Sequence, residues 1–379
     1  MKLARLIAKN LKRRPMRTLL TLLGVASAML LFVLVESLSA GLDRAMGGTE
    51  AARTLVVYRQ NRYCPQTSFL PESYVERIRK IPGVVSALPV KVFLNNCRAS
   101  LDLVTFQGAP AEELLRARPV QVLEGDAARF VRDADAALVG RAFAARKGLR
   151  VGDSFRFGNI TVKVAGIFSS AEPVEEDVVM THLEFLQRAG PVNRLGTVTQ
   201  FEVKIDDAAR AKEIAAAIDD QFRTAQEPTD TRAKLAFLES ATRDLREILG
   251  FARWLGIGCV AVVLALVANT VLMSSQERVR EFGVFRTLGF REQHIAFLVL
   301  GEALILALGG SALGLGAAQL IVETSHVSIG SEGVSVGFRI VPALALRVAL
   351  VAGAAGALAG LYPALRSASR PVVAALREA

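Results

Sequence analysis

The chain has 379 residues, of which 52% are hydrophobic and 22% are charged, and its formal net charge is +10. Its mean hydropathy of +0.36 is high for a soluble protein. The apolar residues are clustered along the chain rather than spread evenly, which argues against a soluble globular protein and for a membrane protein.

The N-terminal segment, residues 1–17, is basic and amphipathic. Leu3, Ile7 and Leu11 fall on one face at helical spacing, and lysine and arginine occupy the other face. A helix of this kind lies in the plane of the membrane interface. Pro15 then turns the chain into the bilayer. We expect a cytoplasmic interfacial helix here.

Four stretches lack charged residues for about the length that a bilayer-spanning helix requires, roughly 20 residues. Buried helices of a soluble core are the alternative, but four such runs in one chain favour transmembrane helices. The first run could also be a cleaved signal peptide, although its length favours a retained anchor. The uncharged runs are residues 18–35, 254–276, 303–322 and 348–365, and the four spans predicted from them are residues 18–39, 251–275, 295–322 and 343–365.

The short segments that flank these spans differ in basic residues. The N-terminus carries seven, the loop 276–294 four and the tail 366–379 three, whereas the loop 323–342 has only Arg339 as a base. Short loops rich in lysine and arginine stay cytoplasmic. We therefore expect a multi-pass protein of the cytoplasmic (inner) membrane with both termini inside. Since topology accounts for the excess positive charge, a nucleic-acid partner is not needed to explain it.

The segment between the first two spans, residues 40–230, predicts an external α+β domain of two lobes. Residues 50–111 and 197–225 would form the outer lobe, and residues 112–196 the inserted lobe. The inserted lobe contains a hairpin signal at Gly158-Asn159, between two runs of strand-forming residues.

A stalk helix is predicted over residues 231–250, where apolar residues recur at helical spacing and no proline or glycine intervenes before Gly250. This helix is expected to continue into the second span and to transmit force. A plain juxtamembrane packing helix is the alternative.

Two of the three cysteines, Cys64 and Cys97, lie in the predicted external domain, and Cys259 lies in the second span. An oxidising compartment would permit a disulfide between the first two. Two free thiols are equally compatible with the sequence, because two cysteines alone define no framework.

The loop 276–294, which we call the hook, is a short charged amphipathic segment between the second and third spans. Such a helix can fill a groove on a partner, or lie on the lipid headgroups by its arginines. Phe282, Phe285 and Gly289 share one side at helical spacing, and Val284 and Leu288 are further apolar anchors. The candidate docking residues are Glu277, Arg278, Arg280, Glu281, Phe282, Gly283, Phe285, Arg286 and Gly289.

Glu302 lies about two turns inside the third span, where a charge is costly and needs a partner. It can pair with an arginine of the hook, or its carboxylate can extend to the inner interface. The sequence leaves both possibilities open.

The sequence carries no signature of an enzyme. The dipeptide Gly-Lys of a phosphate-binding loop never occurs. No cysteine and histidine spacing indicates zinc, and no G-x-S-x-G motif is present. We therefore expect a non-catalytic chain with no metal and no cofactor of its own.

The hook resembles the signature of the FtsX-like (MacB-type) ABC transporter permeases, E-R-x-x-E-hydrophobic-G-x-x-R-x-x-G. The tail resembles that family's ending through Gly360, Pro363, Ala364 and Ala368. The matching hook residues are Glu277, Arg278, Glu281, Gly283, Arg286 and Gly289. The resemblance implies an integral membrane protein with four transmembrane helices and a large external α+β domain inserted between helices 1 and 2.

The resemblance also implies a function by mechanotransmission. A separate ABC ATPase, in two copies and holding ATP and Mg²⁺, would dock on the hooks of two permease chains, identical or closely homologous. Lipid surrounds the complex, and some family members add a periplasmic adaptor and an outer-membrane channel. The expected function is export (efflux) or extraction of a drug, peptide, lipid or lipoprotein.

Two other interpretations remain. One is a regulator that activates an external cell-wall hydrolase without transport, although the long external segment favours export. The other is an anchored binding module without an ATPase, which leaves the hook unexplained.

Overall fold

The computed structural model describes residues 7, 10, 13–45, 53–62, 67–94, 103–118, 120–325, 328–331, 334–338 and 340–368. The chain divides into two compact units. The membrane unit comprises Met1–Ser39, Ile248–Thr324 and Arg339–Ala379. The α+β unit comprises Ala40–Glu247 and Ser325–Phe338.

Helices occur in both units. They are α1 (Pro15–Ala45), α2 (Tyr74–Ile78), α3 (Ala111–Ala117), α4 (Ala127–Arg132), α5 (Arg141–Lys147), α6 (Leu183–Arg188), α7 (Ala211–Phe222), α8 (Lys234–Ala241), α9 (Arg243–Glu277), α10 (Val279–Thr287), α11 (Glu292–Ser325) and α12 (Pro342–Ala368).

The strands belong to the α+β unit. They are β1 (Thr54–Arg59), β2 (Leu70–Pro71), β3 (Val84–Leu94), β4 (Thr105–Ala109), β5 (Val120–Gly125), β6 (Ala136–Gly140), β7 (Ser154–Phe157), β8 (Ile160–Ser170), β9 (Val179–His182), β10 (Thr197–Val198), β11 (Gln200–Ile205), β12 (Thr229–Ala233), β13 (Ser328–Ser331) and β14 (Val334–Gly337).

Four helices of the membrane unit are long and apolar enough to cross a bilayer, which confirms the four predicted spans. They pack around a core of small and branched apolar side chains, among them Val25, Val267 and Ala303. Their apolar character is nearly continuous around the helix, as expected for helices in lipid. The candidate spans are Pro15–Arg44, Leu245–Glu277, Glu292–Thr324 and Pro342–Ser367.

Glycines let these helices approach closely. A Cβ added at Gly314 on α11 would lie 2.5 Å from the carbonyl oxygen of Ala26 on α1. A Cβ added at Gly356 on α12 would lie 2.8 Å from the Cβ of Ala307 on α11. Small residues therefore serve packing within the chain, as they do in other membrane bundles.

The core of the α+β unit is a ten-stranded sheet in the order β12-β1-β11-β3-β4-β9-β6-β8-β5, with β7 paired to β8. Strand β3 is long enough to join its two halves. Its first part pairs with β11, from Val84 opposite Ile205 to Val90 opposite Gln200. Its last part, Lys91–Leu94, pairs with β4.

The two predicted lobes share this sheet, and their boundary differs from the predicted one. Strand β4 was assigned to the outer lobe, but it pairs in parallel with β9 of the inserted lobe. Ala109 at its end belongs to a core cluster that contains Leu138 and Phe168 of the inserted lobe as well as Val90 of β3. The hairpin of β7 and β8 is present as predicted, with Gly158 at a φ of 57° in its turn.

The predicted stalk helix 231–250 is a strand followed by two helices. Thr231 lies in β12, which pairs with β1, and the chain becomes helical only at Lys234. Asp219 on α7 explains the strand, since it accepts hydrogen bonds from the Thr229 hydroxyl at 2.8 Å and from the Thr231 backbone at 3.0 Å. The helix is interrupted at Thr242 and resumes as α9.

Three further features concern the loop after the third span and the cysteines. The loop 323–342 contains an unpredicted hairpin of β13 and β14. Cys64 and Cys97 lie outside the described residues, so the disulfide between them stays a prediction. Cys259 is a free thiol.

Candidate functional site

The hook folds into the short helix α10, and a defined turn ends it. Gly289 has a φ of 90°, a conformation that favours glycine. The amide of Phe290 donates to the carbonyl of Phe285 at 3.0 Å, and that of Gly289 donates to the carbonyl of Arg286 at 3.1 Å. These bonds form a Schellman motif, and the rings of Phe285 and Phe290 make its usual apolar contact at 5.5 Å. Phe285 and Gly289 thus shape the end of the hook.

One side of α10 packs into the membrane unit. Phe282 is 4% exposed and belongs to the bundle core, and Gly283 beside it is also buried. The predicted side formed by Phe282, Phe285 and Gly289 therefore faces inward or forms the terminal turn. This packing holds the hook against the spans.

The other side of α10 is exposed and partly apolar. Val284 is 45% exposed, Leu288 71% and Phe290 46%. Arg280 and Arg291 are exposed beside them and make no ion pair with any side chain that the structure describes. We call these five residues the outward face of the hook.

A buried ion pair connects the start of the hook to the third span. Arg278 Nη1 donates to Glu302 Oε1 at 2.6 Å, and the two side chains are 9% and 5% exposed. Asn10 Nδ2 donates to the same oxygen at 3.0 Å, and the Ser274 hydroxyl lies 3.4 Å from the other one. The carboxylate therefore pairs with a hook arginine, which is one of the two possibilities that the sequence left open.

Glu281 links the hook to the N-terminal segment. It accepts hydrogen bonds from Arg13 Nη1 at 2.5 Å and from Arg278 Nε at 3.1 Å. Partial burial alone would raise the pKa of Glu281, but the hydrogen bonds and charges of the two arginines outweigh burial and lower it. The carboxylate is thus held in its ionised form.

Glu277, at the end of α9, makes a second connection to the N-terminal segment. Its Oε1 lies 2.7 Å from Arg17 Nη2 and 2.8 Å from Arg14 Nη1. The remaining predicted residue, Arg286, pairs with Glu292 at 2.6 Å within the hook. Of the nine predicted docking residues, only Arg280 lies on the outward face.

The polar side chains that meet here form two groups of contacts, one around Glu277 and one around Glu281 and Glu302, and together we call them the charge network. A cavity of about 210 Å³ lies among its side chains and is also lined by Thr18, Thr270 and Ser274. Four network members come from the N-terminal segment, which the sequence assigned only to the membrane interface. The cluster of arginines before the first span was the available signal for them. The network consists of Asn10, Arg13, Arg14, Arg17, Glu277, Arg278, Glu281 and Glu302.

Comparison with known families matches most of the chain to two domain models. The MacB-like periplasmic core domain matches residues 18–221, which is more than half of the chain. The FtsX-like permease C-terminal domain matches residues 254–372, a range that includes the whole hook.

Two curated relatives share 26% identity with this chain. The macrolide export ATP-binding/permease protein MacB of Shigella boydii matches over 236 residues, 60% of this chain and 35% of that protein. An uncharacterized ABC transporter permease of Methanocaldococcus jannaschii matches over 168 residues, 43% of this chain and 44% of that protein. The chain thus spans less than half the length of either relative.

Solved structures of low similarity match the α+β region. The periplasmic region of MacB from Actinobacillus actinomycetemcomitans has a TM-score of 0.37 at 10% identity, covering 52% of this chain and 96% of that one. The extracellular domain of the noncanonic ABC-type transporter YknZ has a TM-score of 0.34 at 14% identity, covering 47% and 99%. The assignment rests on the family models, and by them this chain belongs to the FtsX-like, MacB-type ABC transporter permeases.

Proposed function

We propose that this chain is the membrane subunit that couples ATP hydrolysis by a separate ATPase to movement of its α+β unit. This movement would export or extract a hydrophobic substrate. The chain itself supplies no catalytic group, and ATP and Mg²⁺ belong to the ATPase. Two such chains, identical or homologous, would each dock one ATPase from the cytoplasm.

The outward face of the hook carries this proposal. Leu288, the residue that follows α10, is 71% exposed, and Val284 one turn earlier is 45% exposed, whereas the opposite side of α10 is buried. An apolar ridge on a helix that is fixed from behind is suited to a groove on a partner protein.

The flanking charges indicate the chemistry of that groove. Arg280 and Arg291 are exposed at the two ends of the ridge. Complementarity then requires an apolar floor with acidic side chains at its rim. Arginine at the edge of an interface contributes to orientation and association rate more than to affinity.

Export is favoured over regulation of an external hydrolase, because the α+β unit is large and carries an inserted lobe. Four spans per chain leave little room for a broad aqueous channel, which favours transmission of force to the α+β unit. Stimulation of the ATPase by a hydrophobic substrate would support export. Stimulation by a cell-wall hydrolase in its place would support regulation.

The test is co-purification of the ATPase with the tagged permease from its native cells, identified by mass spectrometry. We expect Leu288→Asp to reduce the recovered ATPase by about tenfold or more, since a charge would be buried at the centre of the contact. ATPase activity of the recovered complex is measured in parallel.

Val192→Asp is the matched control, because Val192 is 81% exposed in the α+β unit. It introduces the same charge and should leave recovery unchanged. Wild-type permease that recovers no ATPase would contradict the proposed function. Equal recovery with Leu288→Asp would show that docking uses another surface.

A further inference from the structure

We propose that the N-terminal segment is the second half of the coupling element. In this proposal the charge network passes a displacement of the hook to α1 as well as to α9. Arg13, Arg14 and Arg17 then act as positioning residues for coupling. The inference rests on the proposed function, because it assumes that an ATPase moves the hook.

Chain connectivity alone attaches the hook to α9 and α11. Helix α1 is remote in sequence, so any force on it must cross contacts between side chains. The network supplies these contacts through Glu277, which accepts from Arg14 and Arg17, and through Glu281, which accepts from Arg13. α1 and α9 are also the spans that flank Ala40–Glu247, the larger segment of the α+β unit.

Further polar contacts join α1 to α9 along their length. The hydroxyls of Thr21 and Thr270 lie 2.9 Å apart. Arg253 on α9 lies 3.3 Å from Glu36 on α1, near the other end of the pair. These contacts support movement of α1 and α9 together once the hook has displaced them.

The charge network has a buried ion pair that is fixed and exposed ion pairs whose partners can exchange. The Arg278–Glu302 pair is almost fully buried, and breaking one partner of such a pair is strongly unfavourable. Arg13 and Glu281 are 56% and 40% exposed, so their attraction is weakened by solvent. The hook is therefore anchored to α11 by the inner pair and linked to α1 by weaker outer pairs.

Each outer carboxylate has two arginine partners. Glu277 contacts Arg14 and Arg17, and Glu281 contacts Arg13 and Arg278. When the hook moves, one arginine can leave while the other keeps the carboxylate paired. The cavity of about 210 Å³ among these side chains provides room for that exchange.

The test compares Arg17→Glu and Glu277→Arg with the double charge swap. In the full complex, each single change should leave ATPase recovery near wild type and lower the permease-stimulated ATP hydrolysis about fivefold. The KM for ATP should be unchanged, because nucleotide binding belongs to the ATPase. The double swap should restore at least half of the lost stimulation.

Hydrogen exchange of residues 279–288 in the permease without the ATPase gives a second readout. Single variants should exchange faster there, and the double swap should restore protection. Arg17→Gln removes the charge without adding repulsion, and it replaces the charge-reversal variants if these insert poorly into the membrane. Arg129→Glu, in an exposed pair with Asp133 at 3.4 Å, is the matched control and should change nothing.

The outcomes separate this inference from the proposed function. Wild-type permease that recovers no ATPase contradicts the proposed function. If all variants recover the ATPase and stimulate ATP hydrolysis equally, the inference about the N-terminal segment is overturned and the proposed function is not. Loss of recovery that the double swap does not restore also overturns it, since the network would then serve folding or direct docking.

Discussion

Arg118 Nη2 lies 2.8 Å from Glu202 Oε1, and this pair joins the end of α3 to β11 inside the α+β unit. Arg118 is also 3.6 Å from Glu175, whose neighbour Glu172 lies 2.6 Å from Lys234 Nζ. Three carboxylates thus face two cations with little access to water. The cluster holds α3, β11, the segment after β8 and the first residue of α8 at one point.

Arg118→Leu should destabilise the α+β unit by about 3–5 kcal/mol, because it leaves carboxylates buried without their cation. The measurement is the opening free energy of β11 by hydrogen exchange on the full chain. Arg116→Leu is the control, since Arg116 is 74% exposed in a pair with Glu112. Its effect should stay within about 0.5 kcal/mol. Equal effects of the two variants would show that the cluster contributes no stability.

The pKa of Glu202 indicates how the stability of the α+β unit depends on pH. Burial would raise its pKa, but the charges of Arg118 and Lys234 outweigh burial and lower it below the ordinary 4.5. A carboxyl whose pKa is lower in the folded state contributes stability above its unfolded pKa and loses it as the pH falls through the folded value. Opening free energy at β11 should therefore be steady from neutral pH down to about 5 and then decline.

Glu202→Gln should flatten the acid part of this profile, because the amide does not titrate. Glu213→Gln is the control: Glu213 also has a lowered pKa through Arg210, but it is fully exposed. This control should keep the wild-type profile at β11. If Glu202→Gln leaves the acid slope of the profile unchanged, the loss of opening free energy at low pH is due to another group.

Two glycines of the third span test the packing of the bundle. An added Cβ at Gly314 would meet the backbone oxygen of Ala26 at 2.5 Å, whereas Gly316 has nothing within 4 Å. Gly314→Ala should force α1 and α11 apart and cost about 1–3 kcal/mol. Gly316→Ala should be neutral or stabilising by up to about 1 kcal/mol, because alanine favours the helix.

The melting temperature of each purified variant, in one detergent, is the measurement for this pair. Since both substitutions add the same methyl group to the same helix, a difference between them reports the contact with α1. Equal melting temperatures would mean that the backbones of α1 and α11 are not in close contact.

Much of this architecture follows from local sequence patterns. Runs without charge predict the four spans because lipid excludes charges over a fixed thickness. The hook is predicted because charged residues interrupt these runs. The β12 strand was missed because Thr231 owes its conformation to Asp219 and β1, and leucine spacing nearby favoured a helix.

The candidate site was harder to predict, because its contacts join residues that are distant in sequence. Glu281 and Arg13 are 268 positions apart, so no spacing rule connects them. The sequence placed Gly289 on a docking side, but its positive φ shows that it closes the turn after α10.

We predict a disulfide between Cys64 and Cys97 if their compartment is oxidising. Peptide mass spectrometry of the alkylated, unreduced protein should find the two cysteines in one linked pair. Cys259, which is free, should be alkylated once the protein is denatured and serves as the internal control. Alkylation of all three cysteines without prior reduction would exclude the bridge.

The orientation of the membrane unit follows from its basic residues and can be tested with single-cysteine probes. In a background without native cysteines, we expect a membrane-impermeant maleimide added to intact cells to label Asp135→Cys but not Arg280→Cys. Both positions are exposed: Asp135 is 45% exposed in a pair with Lys163, and Arg280 lies on the outward face of the hook. Permeabilised cells control for reactivity, because both probes should then be labelled. Labelling of Arg280→Cys in intact cells would place the hook outside, and the hook could not then dock a cytoplasmic ATPase.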